Sequence, residues 1–334
     1  MPHYQHLSQE ERFYMHQAVR DGKRNVEIAH ALGRHPSTIS REKRRNMWPS
    51  AHLYTYEWAT YFHRQRQRRA HARKHRKVTG QTEALLVALL KRYLSPEQIS
   101  AYLKTHHAIP LSHATIYRFI DANRHTHGVL RQYLRHGGKR RRKRYGSGAR
   151  ASRIPNRTPI EARPLIVAQK RRIGDWECDT LVGGDRKSAL VTLVERKSLF
   201  TLCAPVPQKT ADAVQETIIR LLAPVAHQVK TLTFDNGSEF MQHEKMAAAL
   251  QAQTYFATPY ASWERGINEN TNGLLRQFFP KRTNFKTVTP TQIEQALSLL
   301  NNRPRKTRGY KTPTELFTKT FVPIMSPSEI ALVT

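Results

Sequence analysis

The chain has 334 residues, with 56 Lys and Arg against 25 Asp and Glu, a formal charge of +31. That length accommodates two or three domains with real hydrophobic cores, and 39% hydrophobic residues with 4 Trp, 13 Tyr and 12 Phe exclude a wholly disordered chain. No apolar run reaches the roughly 18 residues of a membrane span, and Met1–Gln5 lacks the charged-then-apolar start of a secretion signal. Cys178 and Cys203 are the only cysteines, which excludes a disulfide scaffold and an all-thiolate zinc site. The expectation is a soluble intracellular protein with a polyanionic partner.

The charge is unevenly placed. Residues 1–150 carry 31 Lys and Arg against 9 acids, net +22, whereas residues 151–334 carry 25 against 16, net +9. A half so basic repels itself without a counter-charge, and nucleic-acid phosphate is the commonest one. The basic runs lack the apolar face of a membrane helix, so nucleic acid is expected rather than an anionic membrane.

Residues 8–46 read as three short helices. Ser8 caps the first, with Glu10 and Glu11 in its opening turn. Asn25 is the expected cap of a second helix, Gly33 stops it, and Pro36-Ser37-Thr38 opens a third that runs through Arg45. A small Ala29, the turning Gly33 and an apolar Ile39 make a helix-turn-helix, whose second helix enters a major groove. Its outward residues, Ser37, Thr38, Arg41, Arg44 and Arg45, suit phosphates and base edges. This domain is expected over residues 1–60, followed by a basic connector over 61–80. Residues 81–125 read as a second helix-turn-helix-like DNA-binding domain, with helices starting at Ser95-Pro96-Glu97 and Ser112-His113-Ala114. Residues 126–160 form a basic linker that contains Gly137-Gly138-Lys139-Arg140-Arg141-Arg142-Lys143-Arg144.

The pattern then changes. Strands are expected over 174–182, 189–196 and 199–206, a helix over 209–222 and a strand over 229–234. A helix over 239–251, a strand over 254–257 and a long helix over 262–279 follow. Three strands, then helix, strand, helix, strand and helix, is the order of a ribonuclease H-like domain, placed over residues 161–285, with a helical tail over 286–334. The predicted fold class is therefore multidomain α and α/β, with N-terminal helix-turn-helix modules before a ribonuclease H-like catalytic domain.

Asp175, Glu177 and Asp179 alternate along the first strand and share one face. Three acids there are costly to bury unless a cation neutralises them. Asp235 ends an apolar strand at Asp235-Asn236-Gly237, and Glu269 lies on the long helix. In a ribonuclease H-like fold Asp179, Asp235 and Glu269 converge, and three carboxylates can hold two divalent cations about 3.5–4 Å apart for an in-line displacement at phosphorus. Oxygen ligands select magnesium, or manganese in its place. Arg276, two turns after Glu269, is placed to grip a phosphate.

Three motifs carry a family resemblance: Gly174-Asp175-Trp176-Glu177-Cys178-Asp179-Thr180-Leu181-Val182-Gly183, Phe234-Asp235-Asn236-Gly237-Ser238-Glu239-Phe240, and Asn268-Glu269-Asn270-Thr271-Asn272-Gly273-Leu274-Leu275-Arg276. With 33 residues between Asp235 and Glu269, the chain resembles the bacterial insertion-sequence DDE transposases of the IS-thirty family. The resemblance spans nearly the whole chain and implies a catalytic triad of Asp179, Asp235 and Glu269. It further implies double-stranded DNA partners (terminal inverted repeats and target), strand cleavage and 3′-end transfer without a covalent protein–DNA intermediate. A homodimer or larger synaptic assembly and a cytoplasmic, nucleoid-associated location are expected with it. Cys178 departs from the family's usual Gly. The choice among Asp175, Glu177 and Asp179 rests on the motif, because all three share a face, and Glu264 is the first substitute for Glu269.

The main alternative is a helix-turn-helix regulator with an inactive nuclease-like domain, although all three acids are present. A ribonuclease H-type hydrolase would not need two DNA-binding modules. His106, His107 and His113 cluster without a cysteine partner, so zinc is not expected. Cys178 sits beside acids whose charge would raise its pKa, the wrong direction for a nucleophile.

Overall fold

The computed structural model describes residues 6–48, 53–73, 78–123, 130–135, 154–259 and 261–325. The basic run read at 137–150 lies outside them, as do residues 74–77 of the connector and most of the 126–160 linker. The chain divides into two compact units, Met1–Thr79 and Gly80–Thr334.

In the first unit, α1 (Gln9–Arg20), α2 (Asn25–Ala31), α3 (Pro36–Asn46) and α4 (Tyr56–Arg73) surround a core of Met15, Ile28, Ala29, Ile39, Tyr54 and Ala59. Ser8 and Glu11 cap each other's backbone at the start of α1. The cap of α2 is Arg24 rather than Asn25: the Arg24 backbone N–H donates to Glu27 at 2.7 Å, and Asn25 is the first helical residue. Gly33 turns the chain with φ +61, a conformation that costs glycine little, and lets α3 lie against α2. Two ion pairs fix α3 and its preceding turn on α1, Arg12–Glu42 at 2.7 Å and Arg34–Glu11 at 2.9 Å. On α4, Arg66 donates to the Arg45 carbonyl at 3.1 Å, so the basic segment after residue 60 begins as helix held against the end of α3.

The second unit opens with α5 (Gly80–Lys91), α6 (Pro96–His107) and α7 (His113–Ala122), which bury Leu86, Leu89, Leu90, Ile99, Leu103 and Ile116. A short α8 (Leu165–Ala168) precedes the sheet. Strands β1 (Asp175–Val182), β2 (Ala189–Glu195), β3 (Thr201–Val206), β4 (Thr231–Phe234) and β5 (Gln253–Phe256) lie in the order β3-β2-β1-β4-β5. β1 and β2 are antiparallel, as are β2 and β3, whereas β4 runs parallel to both β1 and β5. This is the ribonuclease H-like topology with β1 central.

Helices α9 (Ala211–Leu222) and α10 (His243–Leu250) cover one face, burying Trp176, Cys178, Val191, Leu193, Val214, Ile218 and Met246. α11 (Gly266–Leu275) and α12 (Pro290–Asn301) cover the other, with Leu181, Leu190, Leu274, Leu275, Phe285 and Leu300 between them. α13 (Pro313–Thr318) follows, capped by Thr312.

Two expected helices are broken. The segment 262–279 splits into a 3-10 turn, Ser262–Arg265, and α11, because Arg265 leaves helical geometry (φ −118°, ψ 30°) and turns its side chain into the sheet. The segment 239–251 splits likewise into a 3-10 turn, Ser238–Phe240, and α10, with Glu239 buried between them and the sheet. Among the described residues no helix is long and apolar enough to cross a membrane.

Candidate active site

The acidic face of β1 is graded from its start to its end. Asp175 is fully buried and paired with Arg172 at 3.0 Å, and it accepts from the Thr231 hydroxyl at 2.9 Å. Glu177 is also fully buried, ion-paired to Arg196, and accepts the Asn268 backbone N–H at 3.2 Å. Both acids are thus committed to neighbours inside the protein. Asp179, two residues on, is the first whose side chain reaches solvent, at 22%.

Sheet register brings Asp235 to it. Asp175 lies opposite Thr231 and Glu177 opposite Thr233, so continuing the parallel ladder by two residues sets Asp179 against Asp235. The two carboxylates share one cation: Arg265 lies 3.3 Å from Asp179 and 3.2 Å from Asp235, and donates to the Cys178 carbonyl at 2.7 Å. Burial raises the proton affinity of Asp179, and the neighbouring Asp235 charge adds to it, with Arg265 working against both. Burial disfavours charge on Arg265, but the facing Asp179 and Asp235 outweigh it and hold the guanidinium protonated.

Three further groups shape the pair. Asn272 donates to Asp179 at 2.8 Å and accepts from the Thr192 hydroxyl at 3.1 Å, tying β1, β2 and α11 together. The Gly237 backbone N–H donates to Asp235 at 2.9 Å. Glu239 accepts from the Thr180 hydroxyl at 2.8 Å and from Lys209 at 3.0 Å, anchoring the loop after Asp235 to β1. A Cβ on Gly237 would lie 2.4 Å from the Glu239 carboxylate and 2.9 Å from that of Asp235, so a larger residue there would have to displace one of these side chains.

Glu269 stands in the first turn of α11, one turn after Arg265, with an exposed side chain. The structure therefore brings Asp179 and Asp235 together and sets Glu269 apart on the covering helix. Among the described residues no three acidic, His or Cys side chains form a metal-binding group. Glu264, its substitute in the sequence reading, accepts from the Thr258 backbone N–H at 2.8 Å and hydroxyl at 3.0 Å. Arg276 directs its guanidinium to the carbonyls of Val182 at 3.0 Å and Pro280 at 3.4 Å, which braces the end of β1. Cys178 lies on the opposite face; burial, before any neighbouring charge, pushes its thiol pKa up.

On α3, Arg41, Arg44 and Arg45 are exposed, while Ser37 and Thr38 are half-buried in its first turn. Ser37 hydrogen-bonds to His35 at 2.8 Å, the ring that caps the helix.

Comparison with known proteins agrees with both units. Residues 3–46 match the helix-turn-helix domain family and residues 169–262 the integrase core domain family. The transposase for insertion sequence element IS4351 from Bacteroides fragilis is 39% identical over 317 residues, covering 93% of this chain and 95% of that protein. This chain belongs to the IS30-type (IS-thirty) DDE transposases. Two further transposases are similar to it. Transposase InsI for element IS30A of Escherichia coli (strain K12) is 35% identical over 86% of this chain and 77% of its own. That for element IS1086 of Cupriavidus metallidurans is 34% identical over 94% of both. The chain is accordingly a DNA-binding enzyme of DNA cleavage and transfer, and the reading as an inactive regulator is not favoured.

Sequence reasoning missed Arg265, Asn272 and Glu239. The signal for Asn272 lay in its helical spacing from Asn268, on the face of α11 that covers β1.

Proposed function

We propose that this transposase cuts and joins DNA ends with Asp179, Asp235 and Glu269 as its catalytic and metal-holding carboxylates. The observation that carries the proposal is the facing of Asp179 and Asp235 where the parallel pairing of β1 with β4 ends, around one shared cation. The donor set fits a divalent ion: hard carboxylate oxygens whose mutual repulsion a positive charge already relieves. Asp179 and Asp235, with Glu269 from the covering helix, would hold magnesium or manganese, and the ion would supply charge stabilisation to a displacement at phosphorus.

The reaction is a displacement at phosphorus. In cleavage a water oxygen bonds to phosphorus as the bond to the 3′ oxygen breaks; the water loses a proton and the departing oxygen gains one. In transfer that 3′-hydroxyl attacks a target phosphodiester and displaces the target's own 3′ oxygen. One P–O bond forms as one breaks, so no external energy source or covalent protein intermediate is needed. Asn272 and the Gly237 N–H fix the carboxylate rotamers.

Residues 1–60 bind the terminal inverted repeats through Ser37, Thr38, Arg41, Arg44 and Arg45. Residues 81–125 form a second DNA contact, and 161–285 the catalytic domain. Arg276 braces β1 where DNA would pass. Two ends must be held together, so a homodimer or larger assembly acts on the bacterial nucleoid. A strand-transfer assay on a duplex carrying the element's own ends, with magnesium, tests this reading. Joined product from the wild type and none from Asp235→Asn, with end binding retained by both, is expected. Binding without cleavage by either, with manganese also tried, returns the regulator.

A further inference from the structure

Beside α11, a cavity of about 250 Å³ is lined by four cations, Arg135, Arg303, Arg305 and Lys306, together with Asn270 and Tyr93. Two of the cations form its inner wall: Arg303 is 3% exposed and Arg305 8%. Among the described residues no carboxylate pairs with either. Arg303 gives one nitrogen to Gln277 at 3.4 Å and its guanidinium lies over the Phe278 ring, 5.9 Å from the centroid, leaving Nε and Nη2 buried without a hydrogen-bond partner; Arg305 gives one to the Leu300 carbonyl at 3.1 Å, leaving Nε buried without one. The rim is formed by Arg135, which donates to Asn270 at 2.9 Å, and Lys306, paired with Glu97.

This arrangement is expensive for a protein that only has to fold. Buried cations that face one another lose hydration and repel, and hydrophobic side chains of similar size would serve packing at least as well. Burial, and then Arg135, pushes the pKa of Arg303 down to about 10; burial, and then Arg303 and Arg135, pushes that of Arg305 down to about 9. Unsatisfied guanidinium N–H groups in a concave site fit a planar or tetrahedral oxyanion, and arginine forks match phosphate.

We propose that this cavity is a phosphate-binding site that takes a backbone phosphodiester of DNA. Asn270 in its wall directly follows Glu269 on α11, so the bound phosphate belongs to DNA lying along the helix that carries the third acid. The assignment of DNA as the source rests on the transposase reading; the phosphate chemistry rests on the cavity alone.

The test uses the full chain in EDTA, so that metal plays no part. Inorganic phosphate, compared with chloride at matched ionic strength, is expected to raise the melting temperature of the wild type. Arg303→Met with Arg305→Met is expected to abolish that rise, leave the melting temperature without phosphate equal or higher, and make the salt slope of duplex binding shallower by about one. Arg135→Gln, at the exposed rim, is expected to make the slope shallower too, and decides the matter should the double variant not fold. A phosphate response and salt slope unchanged in the variants overturn the site. A lost phosphate response with unchanged slope overturns DNA as its source, in favour of free phosphate. An unchanged slope with altered oligomeric state replaces the phosphate by a carboxylate of a second copy. Strand transfer by the wild type on the element's own ends is measured alongside. Its absence together with a shallower variant slope would refute the transposase reading and leave the phosphate site standing.

Discussion

The guanidinium of Arg265 lies 3.2 Å from the carboxylate of Asp235, where a parallel strand pair ends. The same side chain reaches Asp179 at 3.3 Å, so one arginine holds two acids that would otherwise repel. Its position depends on the break between the 3-10 turn and α11, which frees the residue from helical geometry. A cation at this point makes the carboxylate pair stable before any substrate or metal arrives.

Arg265→Gln should therefore uncover the repulsion. In EDTA the variant is expected to lose on the order of 3 kcal/mol, the low end for breaking a buried pair, since Asp235 is 41% exposed. Manganese should restore much of that loss by taking over the neutralising role. Melting curves with EDTA and with manganese check this. A loss that manganese leaves unchanged would make Arg265 a packing residue.

Asn272 is expected to act by holding Asp179 in one rotamer. Asn272→Ala should lower strand transfer by about 10–100-fold, the usual effect of losing a group that orients a ligand, with end binding intact. Asn272→Asp should not rescue, because a carboxylate cannot donate to Asp179 and adds a third negative charge. Product formation on pre-nicked ends is the measurement; wild-type rates in Asn272→Ala would remove the residue from the site.

Much of this site was legible in the sequence, and the boundary of legibility is physical. Alternation put Asp175, Glu177 and Asp179 on one face because strand periodicity is local, and Asp235-Asn236-Gly237 after an apolar run marked the end of β4. Which of the three acids is available was not legible. That depends on Arg172 and Arg196, which arrive from outside β1 to neutralise Asp175 and Glu177. Arg265 was hidden for a similar reason: helical periodicity runs through 262–279, whereas Arg265 occupies a non-helical position between the 3-10 turn and α11 and pairs with two acids from other elements. The buried pair Arg303 and Arg305 gave no local signal at all, since arginines usually face solvent.

Glu239 links the loop after Asp235 to β1, and its charge has a pH signature. Burial alone would raise its pKa, but its hydrogen bonds and Lys209 outweigh burial and hold it below the usual carboxylate range. A depressed folded pKa means stability that is present above the unfolded value, about 4.3, and lost as pH falls through the folded one. Glu239→Gln should cost about 1–2 kcal/mol at pH 7, and the gap between the two urea midpoints should narrow below about pH 4.3. A gap that stays constant to pH 3 would mean that the charge contributes nothing.

Gly237→Ala probes the same loop by space rather than charge. The backbone torsion of Gly237 is ordinary (φ −71°), so alanine meets no torsional strain; its Cβ would instead press on Glu239 at 2.4 Å and Asp235 at 2.9 Å. The expected outcome is a displaced Asp235, with loss of strand transfer exceeding the loss of stability. Unaltered transfer would show that the loop yields without moving the acid.

The exposed arginines of α3 should separate binding from chemistry. Arg41 lies on the solvent face of a helix whose other side is fixed by Ile39 in the core and by the Arg12–Glu42 pair, so its removal leaves the unit folded. If Arg41 contacts a phosphate, Arg41→Ala weakens binding to all duplexes alike and lowers the salt slope by about one. If it reads a base edge, the loss is about 1–3 kcal/mol and confined to the element's own ends. Transfer on pre-nicked ends at saturating protein should survive in both cases, because the carboxylates belong to the other unit. Anisotropy titrations on specific and scrambled duplexes at several salt concentrations distinguish the two. Equal loss of binding and of single-turnover chemistry would count against this division of labour.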